Sequence, residues 1–173
     1  MAPAKNPRNV LQGARNRING HLFENIIEAA CEYYRLKDLA EIEKTPEPMQ
    51  PIKDLGQGRF IAHYAKKAQP DFKGTLAGGR AVAFEAKHTE TDRMLQSAVN
   101  DEQENRLNRH EKMGAACFVL VSFDFRLFYR VPWDVWKGMR QHFGHKYMTP
   151  EDAAPYRVRY INGVLDFLKQ EEK

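Results

Sequence analysis

The 173-residue chain predicts a mixed α/β layer fold, and three observations carry that prediction. A stretch with helical apolar spacing comes early. The most apolar run, Cys117 to Phe123, has the length of a buried strand. Across the chain the elements read helix–strand–strand–strand–helix–strand–strand, an order that sets a sheet at the centre with helices against it.

Asn19 is placed to cap a helix running to about Leu36, because Phe23, Ile26, Ile27, Ala30 and Tyr34 recur at helical intervals. Leu39 to Lys44 has the length of a short strand. The turn-forming stretch Gly74 to Gly79 leads into the apolar strand Ala81 to Phe84, which makes a hairpin. Ser97 to Met113 reads as a polar helix ending at Gly114. Arg126 to Arg130 follows Asp124 as a hairpin partner of the Cys117–Phe123 strand. Pro132 opens a helix whose Trp133 and Trp136, three apart, read as core or dimer contacts. A strand over Tyr156–Tyr160 and a short helix over Val164–Leu168 complete the expectation.

The composition is 42% hydrophobic and 29% charged, as in a soluble globular domain. No apolar run approaches the roughly 20 residues of a membrane span, and no signal-peptide pattern opens the chain. Cys31 and Cys117 are too few for a disulfide framework or a zinc site, and both read as buried thiols in a reducing cytoplasm. His142 and His145 lack a third ligand nearby and read as surface histidines.

Charge is unevenly placed. Residues 1–20 hold Lys5, Arg8, Arg15 and Arg17 and no acid, which accounts for the whole net charge of +4. Residues 1–18 therefore read as a flexible basic arm able to meet nucleic-acid phosphates, or as a solubilising tail. Residues 19–173 form a single domain. Within it, about 45–69 is an insertion. Its start, Thr45-Pro46-Glu47-Pro48-Met49-Gln50-Pro51, favours an extended course. Lys44, Lys53, Arg59, Lys66 and Lys67 outnumber Glu47 and Asp54, so the insertion reads as a basic protrusion. Its Phe60 and Tyr64 either stack on exposed bases or pack two such protrusions together.

The chemistry lies in Pro70-Asp71 and Glu85-Ala86-Lys87, spaced as PD-x13-ExK. Glu85 and Lys87 are two apart and share a strand face. Two carboxylates at a sheet edge hold Mg²⁺ through oxygen, and a nearby lysine orients water or neutralises a phosphate oxygen. The same letters also fit a solvated Glu/Lys pair, as Glu24 fits a solvated helix residue.

The ordered set Leu22-Phe23-Glu24, Lys44-Thr45-Pro46-Glu47-Pro48, Pro70-Asp71, Phe84-Glu85-Ala86-Lys87, Gln103 and the strand Ala115–Leu120 resembles RecU-type Holliday junction resolvases of the PD-(D/E)xK superfamily, over roughly residues 20–135. The resemblance implies a restriction-endonuclease-like mixed sheet flanked by helices, with a protruding stalk at the insertion. It implies a homodimer in a bacterial or phage-infected cytoplasm, acting on branched DNA with Mg²⁺ or substituting Mn²⁺ to nick opposed strands of a four-way junction. Carried over by position, Asp71 and Glu85 bind the metal, Gln103 adds a ligand or orients water, and Lys87 stabilises the transition state. Glu24 reaches the metal directly or through water. Lys44 approaches DNA at the stalk base, joined by Lys53, Arg59, Lys66, Lys67, Arg15 and Arg17. Where related sequences carry Thr two residues before the aspartate, this chain has Gln69, whose carbonyl or backbone would substitute. Two other readings stay open: a restriction-like nuclease of linear duplex, and a non-catalytic binder of branched DNA.

Overall fold

The computed structural model describes residues 7–46, 49–64 and 69–168. Helix α1 (Pro7–Leu36) precedes β1 (Ala40–Lys44), the paired β2 (Met49–Asp54) and β3 (Phe60–Tyr64), then β4 (Phe72–Leu76) and β5 (Ala81–Thr89). A short β6 (Met94–Leu95) leads into α2 (Asp101–Lys112), β7 (Ala116–Phe123) and β8 (Leu127–Pro132). Next come α3 (Trp133–Lys137), α4 (Met139–Phe143), β9 (Tyr147–Met148), β10 (Arg157–Val158), β11 (Tyr160–Ile161) and β12 (Val164–Leu165).

The central sheet has the order β1-β4-β5-β7-β8-β10. Its pairings are antiparallel except β5 with β7, which is parallel and requires the crossover that α2 supplies. The fold is thus the expected mixed α/β sheet flanked by helices. On one face α1 buries Phe23, Ile27, Ala30 and Tyr34 against Val82, Phe84, Phe118 and Leu120. On the other, Ala83, Val119, Val121 and Val131 meet Leu107, Trp133, Trp136 and Met139, so both tryptophans are core residues.

One aromatic ladder fixes the register. Phe72, Phe84 and Phe118 lie opposite one another on adjacent strands, with ring centroids 5.0 and 4.6 Å apart and nearly parallel planes. A one-residue slip would turn these rings to the other face, and Glu85 with them. Gly74 is needed for the same packing: a Cβ there would come within 2.0 Å of the Glu41 carbonyl oxygen on β1.

Several local expectations are corrected. Helix α1 starts at Pro7 and runs through Asn19, so most of the expected arm is helical; Pro suits a first turn, and Leu, Gln, Ala and Arg follow it. Helix α2 starts at Asp101 rather than Ser97, because Asn100 caps it. Gly74, Thr75 and Leu76 belong to β4, and the turn comes after them. Val164–Leu165 is strand rather than helix: Asn162-Gly163, both at positive φ, close a tight hairpin between β11 and β12.

The basic insertion forms the β2–β3 hairpin, paired from Met49↔Tyr64 to Asp54↔Phe60. Every side chain from 49 to 63 is exposed, so the hairpin projects from the domain as the stalk reading expects. Met49, Ile52, Leu55, Phe60 and Ile61 are each 47–64% exposed.

Candidate active site

With Phe72 locked opposite Phe84, Asp71 and Glu85 become cross-strand neighbours at the open end of the β4–β5 pair. Asp71 is tied at both ends: the Ala86 N–H donates to its Oδ2 at 3.0 Å, and its carbonyl accepts from the Thr45 N–H at 2.8 Å. Lys87 Nζ lies 2.8 Å from Glu85 Oε2 and 3.5 Å from Asp71 Oδ2. Gln103 arrives from above on the first turn of α2. Its Oε1 accepts from the Asn100 N–H at 3.2 Å, and its Nε2 donates to Glu85 Oε2. The capping box that starts α2 therefore aims the Gln103 amide at the buried carboxylate.

Glu85 is 0% exposed. Burial pushes its carboxyl up to about 8; Lys87 opposes that rise and Asp71 adds to it. Burial pulls the Lys87 ammonium down, but Asp71 and Glu85 outweigh it and hold the group above its ordinary range. Glu85 Oε1 is buried without a hydrogen-bond partner, as is Thr45 Oγ1 beside the aspartate. An unsatisfied buried carboxylate oxygen next to a second carboxylate, with an ammonium between them, fits a hard divalent cation. Among the described residues no third His, Cys, Asp or Glu joins the pair. A cation there would take further ligands from the Gln103 amide, water or phosphate, as Mg²⁺ sites do.

The structure gathers Asp71, Glu85, Lys87 and Gln103 into one cluster. Glu24 stands apart from their hydrogen bonds and instead pairs with Lys44 at 2.9 Å; Lys44 also meets Glu28 at 3.2 Å. The carbonyl of Gln69 accepts from Lys73. Arg15 pairs with Glu90 at 2.6 Å, and Arg17 is exposed on α1. Lys53 and Arg59 are exposed on the hairpin with Phe60. Lys66 and Lys67 lie outside the described residues, as does the Tyr64 side chain. Cys31 is buried and Cys117 half-buried; burial, then Glu28, pushes Cys31 up to about 12. Sequence reasoning passed over Lys73, Arg106 and His110. Lys73 alone had a local signal, at two residues from Asp71.

Fold and cluster together define a mixed-sheet protein with a PD-(D/E)xK carboxylate–lysine centre. The chain belongs to the RecU family: the family model, recombination protein U, matches residues 18–170. It is 30% identical over 110 residues to the Holliday junction resolvase RecU of Streptococcus gordonii, which covers 60% of this chain and 54% of that protein. The Holliday junction resolvase RecU of Streptococcus pneumoniae serotype 19F is 24% identical over 166 residues, 86% of this chain and 84% of that one. The chain thus spans about half the length of the first relative and most of the second. It also superimposes on Hjc, a Holliday junction resolvase of Archaeoglobus fulgidus, with TM-score 0.44 and 14% identity over 68% of this chain and 75% of that one.

Proposed function

We propose that this chain is a divalent-metal-dependent endonuclease that resolves four-way DNA junctions by paired, symmetric nicks. The observation that carries the reading is the convergence of Asp71, Glu85 and Lys87 in one cluster, with Glu85 Oε2 held by Lys87 and its other oxygen buried and unpartnered. Membership of the RecU family supports the choice of branched DNA.

Asp71 and Glu85 would hold Mg²⁺, or Mn²⁺ in its place, with Gln103 as a third ligand or as the group that orients water. When bound, the ion lowers the pKa of its water and offsets charge on the phosphate. The chain's own contribution is positional. The Ala86 N–H fixes Asp71, and the Gln103 amide fixes Glu85. Lys87 Nζ orients the attacking water and offsets charge developing on the phosphate oxygens. Glu24 and Lys44 sit at the foot of the hairpin, where Lys44 approaches DNA, and Lys53 and Arg59 extend the contact along the hairpin. Lys66, Lys67, Arg15 and Arg17 complete the proposed basic surface.

A four-way junction has approximate two-fold symmetry, so a homodimer sets one centre on each of two opposed strands. The reading puts the protein in the cytoplasm with its substrate; among the described residues, no helix is long and apolar enough to cross a membrane.

The test is cleavage of an end-labelled synthetic junction, with linear duplex as competitor, in Mg²⁺ and in EDTA. Symmetric nicks that require Mg²⁺ are expected. Junction binding without product would leave a structural DNA binder, and equal cutting of linear duplex would leave a general nuclease.

A further inference from the structure

The sheet face that carries the carboxylates also carries a basic group one step away. Lys73 follows Asp71 by two residues, so the two share a face, as Glu85 and Lys87 do on β5. In register Lys73 stands between Ala83 and Glu43. Two residues of strand span about 6.6 Å. In register the backbone positions of Lys73 and Lys87 therefore flank the carboxylate pair from opposite sides, one step away each, and the Lys73 side chain reaches back along Asp71 to Gln69.

Above them, Arg106 and His110 follow Gln103 by three and seven residues, on the same side of α2. Both are half-buried. Ala83, the register partner of Lys73, shares a buried cluster with Leu107, which lies between Arg106 and His110 on α2, so the helix sets both over this face. Burial, then the charges of Lys73 and Arg106, hold His110 below its ordinary range. Among the described residues, Arg106 forms no ion pair, and Lys73 is held by the neutral Gln69 amide rather than by Glu43. Half-buried cations without a carboxylate favour an anionic partner, and an arginine fork suits a phosphate.

We propose that Lys73, Arg106 and His110 form a phosphate-binding track that holds the DNA backbone phosphate next to the scissile one. The inference rests on the nuclease reading and adds a positioning role to it. A strand gripped on both sides of the carboxylates cannot pivot, which keeps the scissile phosphate aligned for in-line attack.

The test is anisotropy of a fluorescein-labelled four-way junction bound to the full chain in EDTA, across a series of NaCl concentrations. Wild type, Lys73→Gln, Arg106→Gln, the double variant and Arg106→Lys are compared. Each lost phosphate contact lowers the slope of log affinity against log salt by about 0.9, so each Gln single loses about one and the double about two. Arg106→Lys keeps the wild-type slope. Should the double variant fail to melt cooperatively, the comparison passes to Arg106→Gln and Arg106→Lys, whose slopes must differ by about one. Unchanged slopes in the Gln variants would overturn the track. Failure of the wild type to bind the junction would instead overturn the nuclease reading.

Discussion

Lys87 Nζ stands 2.8 Å from Glu85 Oε2, two residues back on the same strand face, and that glutamate is fully buried. The ammonium thus occupies the place between the two carboxylates that a cation favours, and is poised beside any phosphate brought there. Substitution at this point separates chemistry from binding. Lys87→Ala and Asp71→Asn are expected to cut cleavage by about a hundred- to a thousandfold. Junction affinity in EDTA, measured by anisotropy, should stay within about threefold, since the wider basic surface supplies most of it.

The buried glutamate also sets a pH profile. Glu85 must be ionised to hold a cation, and burial holds it up to about 8. At Mg²⁺ concentrations well below saturation, where the rate follows metal affinity, single-turnover cleavage should rise about tenfold per pH unit below that value and level off above it. A rate flat from pH 6 to 9 would count against Glu85 as a ligand.

Stability runs the other way. A carboxyl raised from 4.5 to about 8 favours the folded state while protonated, so its contribution is complete below 4.5 and is lost as pH climbs through about 8. In EDTA, Glu85→Gln should melt above wild type at pH 8.5, with the gap closing toward pH 5.

The carboxylate–lysine centre was legible because it is local. Asp71, Glu85 and Lys87 belong to one hairpin, and strand alternation alone sets the last two on one face. The start of α1 was not legible: Asn19 has the chemistry of a cap, but good helix formers precede it and the helix runs through. The β2–β3 hairpin was hidden by the proline-rich run that leads into it, and its own Pro51 is tolerated in an exposed two-stranded pair. Arg106 and His110 acquire meaning once α2 docks over the sheet, a placement that spacing along the chain does not encode.

Gly74→Ala tests the sheet that holds the centre. Its Cβ would meet β1 backbone, which cannot rotate away as a side chain can. The substitution should cost about 1–3 kcal/mol in a urea melt, and an unchanged midpoint would contradict the tight β1–β4 packing.

Lys53→Glu with Arg59→Glu tests the projecting hairpin. Both side chains are exposed, so the melting temperature should hold. Junction affinity should fall by at least about tenfold at low salt, because two attractive contacts become repulsive. Equal affinity would remove the hairpin from the DNA interface.

The parallel β5–β7 pairing dictates an order of assembly. Asp71 and Glu85 sit on strands joined by a short turn, so they meet early in folding, while both are still hydrated and their mutual repulsion is weak. Pairing β5 with β7 closes a much longer loop, since Val82 pairs with Ala116, and such closures come late. That closure seats α2 and brings the Gln103 amide to Glu85 as water leaves. The burial of Glu85 is therefore completed late, when the rest of the sheet is in place to hold it.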